Sequence, residues 1–390
     1  MITHKITNFV YQNRNITLLN LHSALQRFSN KTLDVFGAIY FLSLGISFPS
    51  VALAWIASFL IRFLLRPFSV WLSNRIGLRR ALIFGTIFSS GLFLIFLLVD
   101  GVNIWLLVFA LYLALYDILY WLPYNAYYAI AGDEKSRGKQ VAFRSGLIDL
   151  VQIVVPILGA VLATAFGFWS LYVSAMICML LSVIPIFFAK DESPGEKMNF
   201  RQAFTQVDKR GLIMQIGDGI LVNAHSFLWT IVLFLLIGNL VGFGGLITFE
   251  LLVTTVLSLV LGYFIDGGNG KWIARFGLAI VALVVITRSF WVTTLPQIFL
   301  VNFISAVGIA FYSMTYQVGI YNLAKRTPNT LWFHFFAEAG WDIGGALVFL
   351  IAAGLFVLGV ELQHMILLAL GGLLIVNYVL KSYYSSIDKI

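Results

Sequence analysis

The chain has few charged side chains for its length of 390 residues. Asp, Glu, Lys and Arg make up 11% of it, against about 25% in an average soluble domain. Hydrophobic residues make up 60% of the sequence. A soluble fold of this size needs far more polar surface to cover its core, so the composition excludes an ordinary water-soluble protein. A lipid bilayer removes that need, because apolar side chains can face the hydrocarbon directly.

Cysteine and catalytic motifs are also scarce. The single cysteine, Cys178, lies in an apolar segment, which excludes a disulfide framework and a cysteine-based metal site. The sequence has no Gly-x-x-x-x-Gly-Lys-Ser/Thr phosphate loop, no His-x-x-Glu zinc spacing and no Gly-x-Ser-x-Gly element. We therefore expect neither an enzyme nor an ATP-driven pump, and we expect no cofactor. Residues 1–18 lack an apolar core followed by a cleavage site, so we expect no cleaved signal peptide.

Long apolar runs fill the rest of the sequence. A membrane-spanning helix needs roughly 20 mostly apolar residues. Twelve segments meet this requirement: 19–45, 50–73, 81–99, 104–130, 141–166, 168–188, 212–236, 243–265, 272–292, 296–323, 331–358 and 364–380. Strands of a membrane barrel are about 10 residues long and alternate in polarity, whereas these runs are longer and do not alternate. The sequence therefore predicts an all-α membrane protein with twelve transmembrane helices.

Lysine and arginine are concentrated in alternate connections between the predicted spans. The connections around residues 48, 101, 167, 242, 294 and 359 contain neither residue. Cytoplasmic loops carry an excess of positive charge, so both termini are predicted to face the cytoplasm, in an inner or plasma membrane. The net charge of +8 lies mainly in the other set of connections, which contains the lysines and arginines. This distribution favours a cytoplasmic membrane face over nucleic-acid binding.

The longest polar stretch divides the chain into two halves. We predict a cytoplasmic N-terminal segment (1–18), a six-helix bundle (19–189), a cytoplasmic linker (190–211), a second six-helix bundle (212–381) and a cytoplasmic tail (382–390). A shift of 193 residues aligns Tyr128, Phe143 and Asp149 with Tyr321, Phe336 and Asp342. Parallel halves related by a pseudo-twofold axis along the membrane normal are one plan of secondary transporters.

Two loops carry related motifs. The loop after span two reads Val70-Trp-Leu-Ser-Asn74-Arg75-Ile-Gly77-Leu-Arg79-Arg80, and the loop after span eight reads Gly262-Tyr-Phe-Ile-Asp266-Gly-Gly-Asn-Gly270-Lys271. Both resemble the Gly-x-x-x-Asp-Arg-x-Gly-Arg-Arg signature of the major facilitator superfamily, although Val70 and Asn74 replace its leading glycine and its acid. The resemblance implies two bundles that alternate access to a central cavity. It also implies a cytoplasmic gate bordered by Asn74, Arg75, Arg79, Arg80 and Asp266.

A proline element in span five bears on the direction of transport. It reads Pro156-Ile-Leu-Gly159-Ala160 and resembles the tail of the Gly-Pro-x-x-Gly-Gly element found in antiporters of the superfamily. Proline and small residues are also common in membrane helices for reasons of packing. The element favours export over uptake.

Span one carries ionisable residues where lipid disfavours them. A charge at a helix centre costs about 2.5–3.5 kcal/mol even on insertion scales. Arg27, Lys31 and Asp34 are spaced by four and three residues, which places them on one helical face. Asp34 and Arg62 each lie fourteen residues from Phe48, where the hairpin of spans one and two turns. This equal depth predicts an Asp34–Arg62 pair, which either lines a cavity or only pins two helices together.

Two further arginines of the first half have another explanation. Arg144 in span five is expected to extend along its helix toward the membrane surface, and Arg66 in span two, like Arg27, either does the same or belongs to a functional site. Asp117 in span four lies near mid-membrane, followed within about two turns by Tyr120, Tyr124 and Asn125. A residue that serves only packing has no need of the Asp117 charge, so Asp117 indicates a functional site.

The resemblance also implies a substrate site, because spans one, four, seven and ten line the cavity of the superfamily. The predicted substrate-binding residues are Arg27, Lys31, Asp34, Arg62, Asp117, Tyr120, Tyr124, Asn125, Tyr316 and Gln317. Aromatic and amide groups suit a sugar, a nucleoside or an amphipathic organic molecule. The excess of cations in the first half favours a solute with an anionic or zwitterionic group.

The second half is acidic within the membrane. Asp218, Glu250, Glu338 and Asp342 have only Arg288 as an intramembrane cation. Carboxylates without a cationic partner in a low dielectric can take up and release protons. We predict proton coupling through Glu338 and Asp342, with Asp149 as a further candidate in the first half. His225 and His334 either join a proton relay or only pack, and Asp218 is expected close to the inner surface.

Together these patterns predict a monomeric, proton-coupled secondary transporter whose partners are a small organic solute, protons and lipid. Two alternatives stay open from the sequence. One is a membrane binding or scaffold protein that kept the fold and lost transport, which the Asn74 substitution favours. The other is a lipid flippase whose cavity opens sideways and whose central charges bind headgroups.

Overall fold

A computed structural model of the chain describes residues 14–131, 137–192, 199–264, 270–325, 327 and 329–387. The helices of the first half are α1 (Arg14–Ser43), α2 (Phe48–Ile76), α3 (Leu78–Ser90), α4 (Leu92–Leu98), α5 (Ile104–Ala131), α6 (Arg137–Phe166) and α7 (Phe168–Phe187). Those of the second half are α8 (Phe200–Gln206), α9 (Lys209–Val222), α10 (Trp229–Ile237), α11 (Leu240–Phe264), α12 (Gly270–Phe290), α13 (Leu295–Lys325), α14 (Thr330–Val357), α15 (Leu362–Met365) and α16 (Ala369–Ile387).

Each predicted span coincides with helix in the described part of the chain. Among the described residues, eleven segments are long and apolar enough to cross a membrane, as judged by length and composition. The first helix, α1, is not among these segments. It is 30 residues long, but Arg27, Lys31 and Asp34 lie close together in it. The chain is therefore a multi-pass helical membrane protein, as the sequence predicts.

Span seven is not a continuous α-helix. A π-helical segment, Asn223–Leu228, joins α9 to α10. The Nδ2 atom of Asn223 donates to the carbonyl oxygen of Gly219 at 2.7 Å. Single π-helical turns inside α-helices are rare and are often found at functional sites. This one lies within the 29-residue span Lys209–Ile237.

The chain divides into two compact units. Unit 1 consists of the described residues of Met1–Gly37 and Ile61–Met198, and unit 2 of those of Ala38–Leu60 and Asn199–Ile390. The sequence-based boundary at residue 190 instead assigns Ala38–Leu60 to the first bundle.

Aromatic packing explains why Ala38–Leu60 groups with unit 2. Trp55 contacts Phe227 with ring centroids 5.2 Å apart, and Phe59 contacts Trp341 at 5.7 Å and Phe349 at 5.9 Å. Aromatic contacts at such distances stabilise beyond the area that they bury. The first half of α2 therefore packs on α14 and the π-helical segment.

Glycines let α9 and α14 approach closely in unit 2. A Cβ atom on Gly340 would lie 2.4 Å from the carbonyl oxygen of Leu212, and one on Gly344 would lie 2.3 Å from that of Ile216. Small residues at membrane helix contacts allow the two backbones to touch. This close contact packs α14, which carries Glu338 and Asp342, against α9, which carries Asp218.

We predict that Gly344→Ala destabilises the protein. The added methyl group meets backbone atoms of Ile216 and Ile220, and overpacking of this kind costs about 1–3 kcal/mol. Gly354→Ala, on the same helix, is the matched control, because no atom lies within 4 Å of its added Cβ. The measurement is the midpoint of thermal unfolding in detergent. Equal midpoints for the two variants would contradict the close contact.

Candidate functional site

The polar face of α1 contacts α5 in unit 1. Gln26 and Asn30, one helical turn apart, exchange two hydrogen bonds with nitrogen–oxygen distances of 3.0 and 2.8 Å. The hydroxyl group of Tyr116 on α5 donates to Oδ1 of Asn30. All three side chains are buried. Buried amides stay stable only when their polar atoms are paired, so this network sets the rotation of α1 against α5.

An ion pair joins α2 to α5 in the same unit. Nη1 of Arg62 contacts Oδ2 of Asp117, and the side chains are 9% and 18% exposed. The predicted Asp34–Arg62 pair is wrong, because Arg62 binds Asp117 and the Asp34 side chain is exposed. Equal distance from the turn sets the depth of two residues but not the helical face on which each lies.

A second polar chain connects α1 to α6. Arg27 donates from Nε and Nη2 to Oε1 of Gln152, at 3.3 and 2.9 Å. Nε2 of Gln152 then donates to Oδ1 of Asp149 at 2.6 Å. All three residues are half-buried. The Gln152 amide thus bridges a predicted substrate-binding cation and a predicted proton-coupling carboxylate, although the sequence analysis did not identify it.

Tyrosines of α5 form an aromatic row beside these polar groups. Tyr120 and Tyr124 stack with centroids 5.4 Å apart, and the Tyr124 hydroxyl group lies 2.5 Å from Oγ of Ser23. The guanidinium carbon of Arg144 lies 5.1 Å from the Tyr124 ring and 4.9 Å from the Tyr128 ring. These are cation–π distances, so Arg144 packs on aromatic rings where the sequence predicted extension toward the membrane surface.

The remaining predicted residues of unit 1 differ in burial. Lys31 and Asn125 are half-buried. Arg66 is 1% exposed, so the expectation that it extends toward the membrane surface is wrong. Its position on α2, one turn after Arg62, places both cations on one helical face. Unit 1 therefore holds a set of cations within its interior.

In unit 2, α9 carries a buried carboxylate. Asp218 is 8% exposed and accepts a hydrogen bond of 2.6 Å from the hydroxyl group of Tyr312 on α13. Asp218 lies nine residues, roughly 14 Å along the helix, after the start of α9 at Lys209, and it is buried against Tyr312 and not solvated. The Tyr312 ring stacks on that of Tyr316 at 5.6 Å. Of the predicted pair on α13, Tyr316 is half-buried and Gln317 is exposed.

The predicted proton-coupling residues of α14 lie on one helical face. Asp342 is 1% exposed and His334 is 8% exposed, while Glu338 between them is half-buried. Their spacing of four residues stacks them along successive turns. A row of ionisable groups thus follows α14 in unit 2.

The loop between α2 and α3 is held against the end of α7. The backbone N–H group of Arg79 donates to Oδ1 of Asp191 at 3.0 Å, and Nη1 of Arg79 donates to the carbonyl oxygens of Phe187 and Ala189, both at 3.1 Å. Gly77 has a φ of +88°, and a Cβ atom there would lie 2.6 Å from Oδ2 of Asp191. The turn therefore requires glycine.

The other predicted gate residues are more exposed. Asn74, Arg75 and Arg80 are exposed, and the guanidinium carbon of Arg75 lies 5.2 Å from the Trp71 ring. Asp266 lies outside the described residues. Of the predicted gate residues, Arg79 makes the hydrogen bonds to the end of α7 and to Asp191.

Comparison with known proteins assigns the family. Residues 20–251 match the sequence model of the Major Facilitator Superfamily, which is more than half of the chain. The chain belongs to the Major Facilitator Superfamily. No curated protein sequence matches it.

Solved structures of superfamily-type transporters share the fold. The human organic anion transporter MFSD10 (TETRAN) is 13% identical, with a TM-score of 0.68 over 94% of this chain and 99% of that one. The POT family transporter PepTSo is 13% identical, with a TM-score of 0.67 over 97% and 99%. A bacterial homolog of the human lysosomal transporter Spinster, inward-facing and unoccupied, is 14% identical, with a TM-score of 0.63 over 96% of each chain. These likenesses confirm the predicted two-bundle architecture of twelve helices.

In this chain, the acidic residue of the family's loop signature is absent, and a carboxylate from another part of the chain contacts the loop. Asn74 stands where the Major Facilitator signature has an acid. The carboxylate that contacts the loop comes instead from Asp191, beyond the end of α7. Asp191 caps the first turn of α3, where backbone N–H groups favour an anion. The sequence analysis missed this residue, because it lies 112 positions from Arg79.

We predict that Arg62 is energetically coupled to Asp117 and not to Asp34. Asp117→Asn leaves a buried arginine without its carboxylate, and breaking a buried pair costs about 3–5 kcal/mol. The double variant Arg62→Gln/Asp117→Asn should therefore lose much less stability than the two single variants summed. The measurement is a double-mutant cycle of unfolding free energy in detergent.

Asp34→Asn supplies the matched cycle with the same change of residue type. Asp34 is exposed, so Asp34→Asn and Arg62→Gln should add within about 0.5 kcal/mol, as independent sites do. Strong coupling of Arg62 to Asp34, or none to Asp117, would contradict the assignment.

Proposed function

We propose that the chain is a proton-coupled secondary transporter that exports a small organic solute across the cell membrane by alternating access. Membrane transport is the activity of its superfamily. The observation that supports the proposal most is the chain of polar groups from Arg27 through Gln152 to Asp149, inside membrane helices of unit 1. Helices that serve only to span lipid have no use for such groups.

In this proposal Arg27 contacts an acceptor group of the solute. A guanidinium group has five N–H donors, and in the described part of the chain Arg27 gives two hydrogen bonds, both to the neutral amide of Gln152. Its other donors suit a carboxylate, a phosphate or another anionic group. By contrast, the Arg62 charge is matched by Asp117. The solute is therefore proposed to be anionic or zwitterionic.

The rest of the proposed binding set supplies shape and polarity. Tyr120 and Tyr124 offer stacked aromatic rings, Asp34 is an exposed carboxylate on α1, and Lys31 and Asn125 are half-buried. Tyr316 and Gln317 are the proposed contributions of α13. Such a mixture of rings and hydrogen-bonding groups suits an organic molecule better than an inorganic ion.

Proton coupling is assigned to carboxylates of both units. Asp342 is almost fully buried and Glu338 lies one turn away on α14. Asp149 of unit 1 is bonded to an amide and not directly to a cation. A carboxylate in this setting can lose its charge by binding a proton, which removes the cost of burying that charge.

The loop between α2 and α3 is proposed to border a cytoplasmic gate. Arg75, Arg79 and Arg80 supply its positive charge, with Asn74, and Asp266 belongs to the corresponding loop of the second half. A gate on the cytoplasmic side agrees with both termini lying in the cytoplasm. The proposed transporter is a monomer without a cofactor.

We predict that purified protein in liposomes couples solute movement to proton movement. A solute found by thermal stabilisation of the detergent-solubilised protein, which reports binding directly, should cause an internal pH change on addition. The double variant Glu338→Gln/Asp342→Asn should lose most of this signal, because it lacks both acids that are proposed to exchange protons. A pH-sensitive dye inside the liposomes makes the measurement.

Glu361→Gln is the control, since its side chain is 78% exposed, and it should couple like the unmodified chain. A solute-dependent pH change that survives Glu338→Gln/Asp342→Asn at full size would remove the role assigned to those two residues. Solute binding without any flux would contradict the transport proposal itself.

A further inference from the structure

The buried carboxylate of unit 2, Asp218, is bonded to neutral side chains from two neighbouring helices. Its Oδ1 atom accepts a hydrogen bond of 2.6 Å from the hydroxyl group of Tyr312 on α13. The indole N–H group of Trp341 on α14 also donates to this carboxylate. Side chains from α9, α13 and α14 therefore meet at a single carboxylate inside unit 2.

No cation of the described residues forms an ion pair with Asp218. The buried arginine of unit 2, Arg288, contacts Glu250 and Asn302 instead. A buried carboxylate is costly until its charge is matched, and neutral donors such as a phenol or an indole match it only in part. The rest of the charge can be neutralised by a proton or by a cation that the chain does not itself provide.

Aromatic rings surround this carboxylate. Hydrogen bonds hold the rings of Tyr312 and Trp341 against it, and each of these rings contacts a further one. The Tyr312 ring stacks on that of Tyr316, with centroids 5.6 Å apart, and the Trp341 ring meets that of Phe59 edge-on at 5.7 Å. Tyr316 and Trp341 are half-buried, so two of the four rings keep accessible surface close to the buried carboxylate.

The rings favour one kind of cation over the others. A proton needs no aromatic partner, and a metal ion needs several oxygen or nitrogen ligands. In the part of the chain that the structure describes, no group of His, Cys, Asp or Glu residues is arranged to hold a metal ion. An organic ammonium group, by contrast, pairs with a carboxylate and is attracted to the faces of aromatic rings. A carboxylate among rings therefore has the chemistry of an amine site.

We propose that Asp218 binds the ammonium group of an organic amine. The ammonium N–H groups donate to the carboxylate in charge-assisted hydrogen bonds, and the accessible rings of Tyr316 and Trp341 contact the carbon atoms next to the nitrogen. The hydroxyl group of Tyr312 keeps its hydrogen bond and holds the carboxylate in place. Binding is non-covalent and changes no bond of the amine.

This amine site narrows the class of the solute. The function proposed above assigns an anionic group of the solute to Arg27 in unit 1, and Asp218 in unit 2 takes an amine. A solute that carries both groups is a zwitterion, so of the two classes left open above the zwitterionic one is favoured. This narrowing rests on the proposed transport, whereas the binding of an amine by Asp218 does not.

Binding of benzylamine to the purified full chain in detergent at neutral pH tests the proposal. Benzyl alcohol has the same ring and a similar size without the charge, and sodium chloride supplies an inorganic cation at the same ionic strength. Titration calorimetry should show that benzylamine binds at least roughly tenfold more tightly than benzyl alcohol and that Asp218→Asn removes this difference. Asp100→Asn, the same change at an exposed residue, should bind benzylamine like the unmodified chain.

A second variant keeps the proposal testable if Asp218→Asn does not fold. Tyr316→Leu leaves the carboxylate in place and removes one accessible ring, so it should weaken benzylamine binding by about threefold and leave that of benzyl alcohol less affected. Benzylamine affinity that is unchanged in the folded variants, or stabilisation by sodium chloride equal to that by benzylamine, would overturn the proposal. Amine binding that depends on Asp218 in a chain that moves no solute in liposomes would uphold the site and remove the transport proposal, so the two failures are distinguishable.

Discussion

The low dielectric of the membrane governs the arrangement of this protein more than any other constraint. An ionisable side chain at hydrocarbon depth must be paired, neutralised by a proton or reached by water. Unit 1 pairs Arg62 with Asp117, and unit 2 surrounds Arg288 with Asn302, His225 and Glu250. These contacts explain how helices with so many charges remain in a bilayer, and each one joins helices that the apolar pattern alone would leave free to rotate.

The same constraint separates two kinds of charged group. Arg62 and Asp117 neutralise one another and need no external partner. Arg27 and Asp34 are different, because Arg27 is bonded to a neutral amide and Asp34 is exposed. We propose that a solute engages groups of this second kind. If the charged groups served only to hold helices together, they would be expected to form mutually neutralising pairs throughout.

The sequence predicted the spans well, because length and apolarity decide which segments cross a bilayer. It predicted partners poorly. Depth along a helix can be counted from a turn, but the facing side depends on packing, so Asp34 was paired with Arg62 in place of Asp117. The burial of Asp218 was missed for the same reason, because its partner Tyr312 lies on another helix, 94 residues away. Gln152 and Asp191 act across 125 and 112 residues, and no local pattern marks such contacts.

The central claim is that water reaches the ionisable groups within the helices. The most direct test is the reactivity of a cysteine at position 34, made as Asp34→Cys with Cys178→Ser, since the chain has one native cysteine. A membrane-impermeant thiol reagent should modify this site in membrane vesicles, and a bound solute should slow the reaction. Failure to react from either side, while Asn103→Cys in an exposed loop reacts, would show a dry interior and contradict the transporter account.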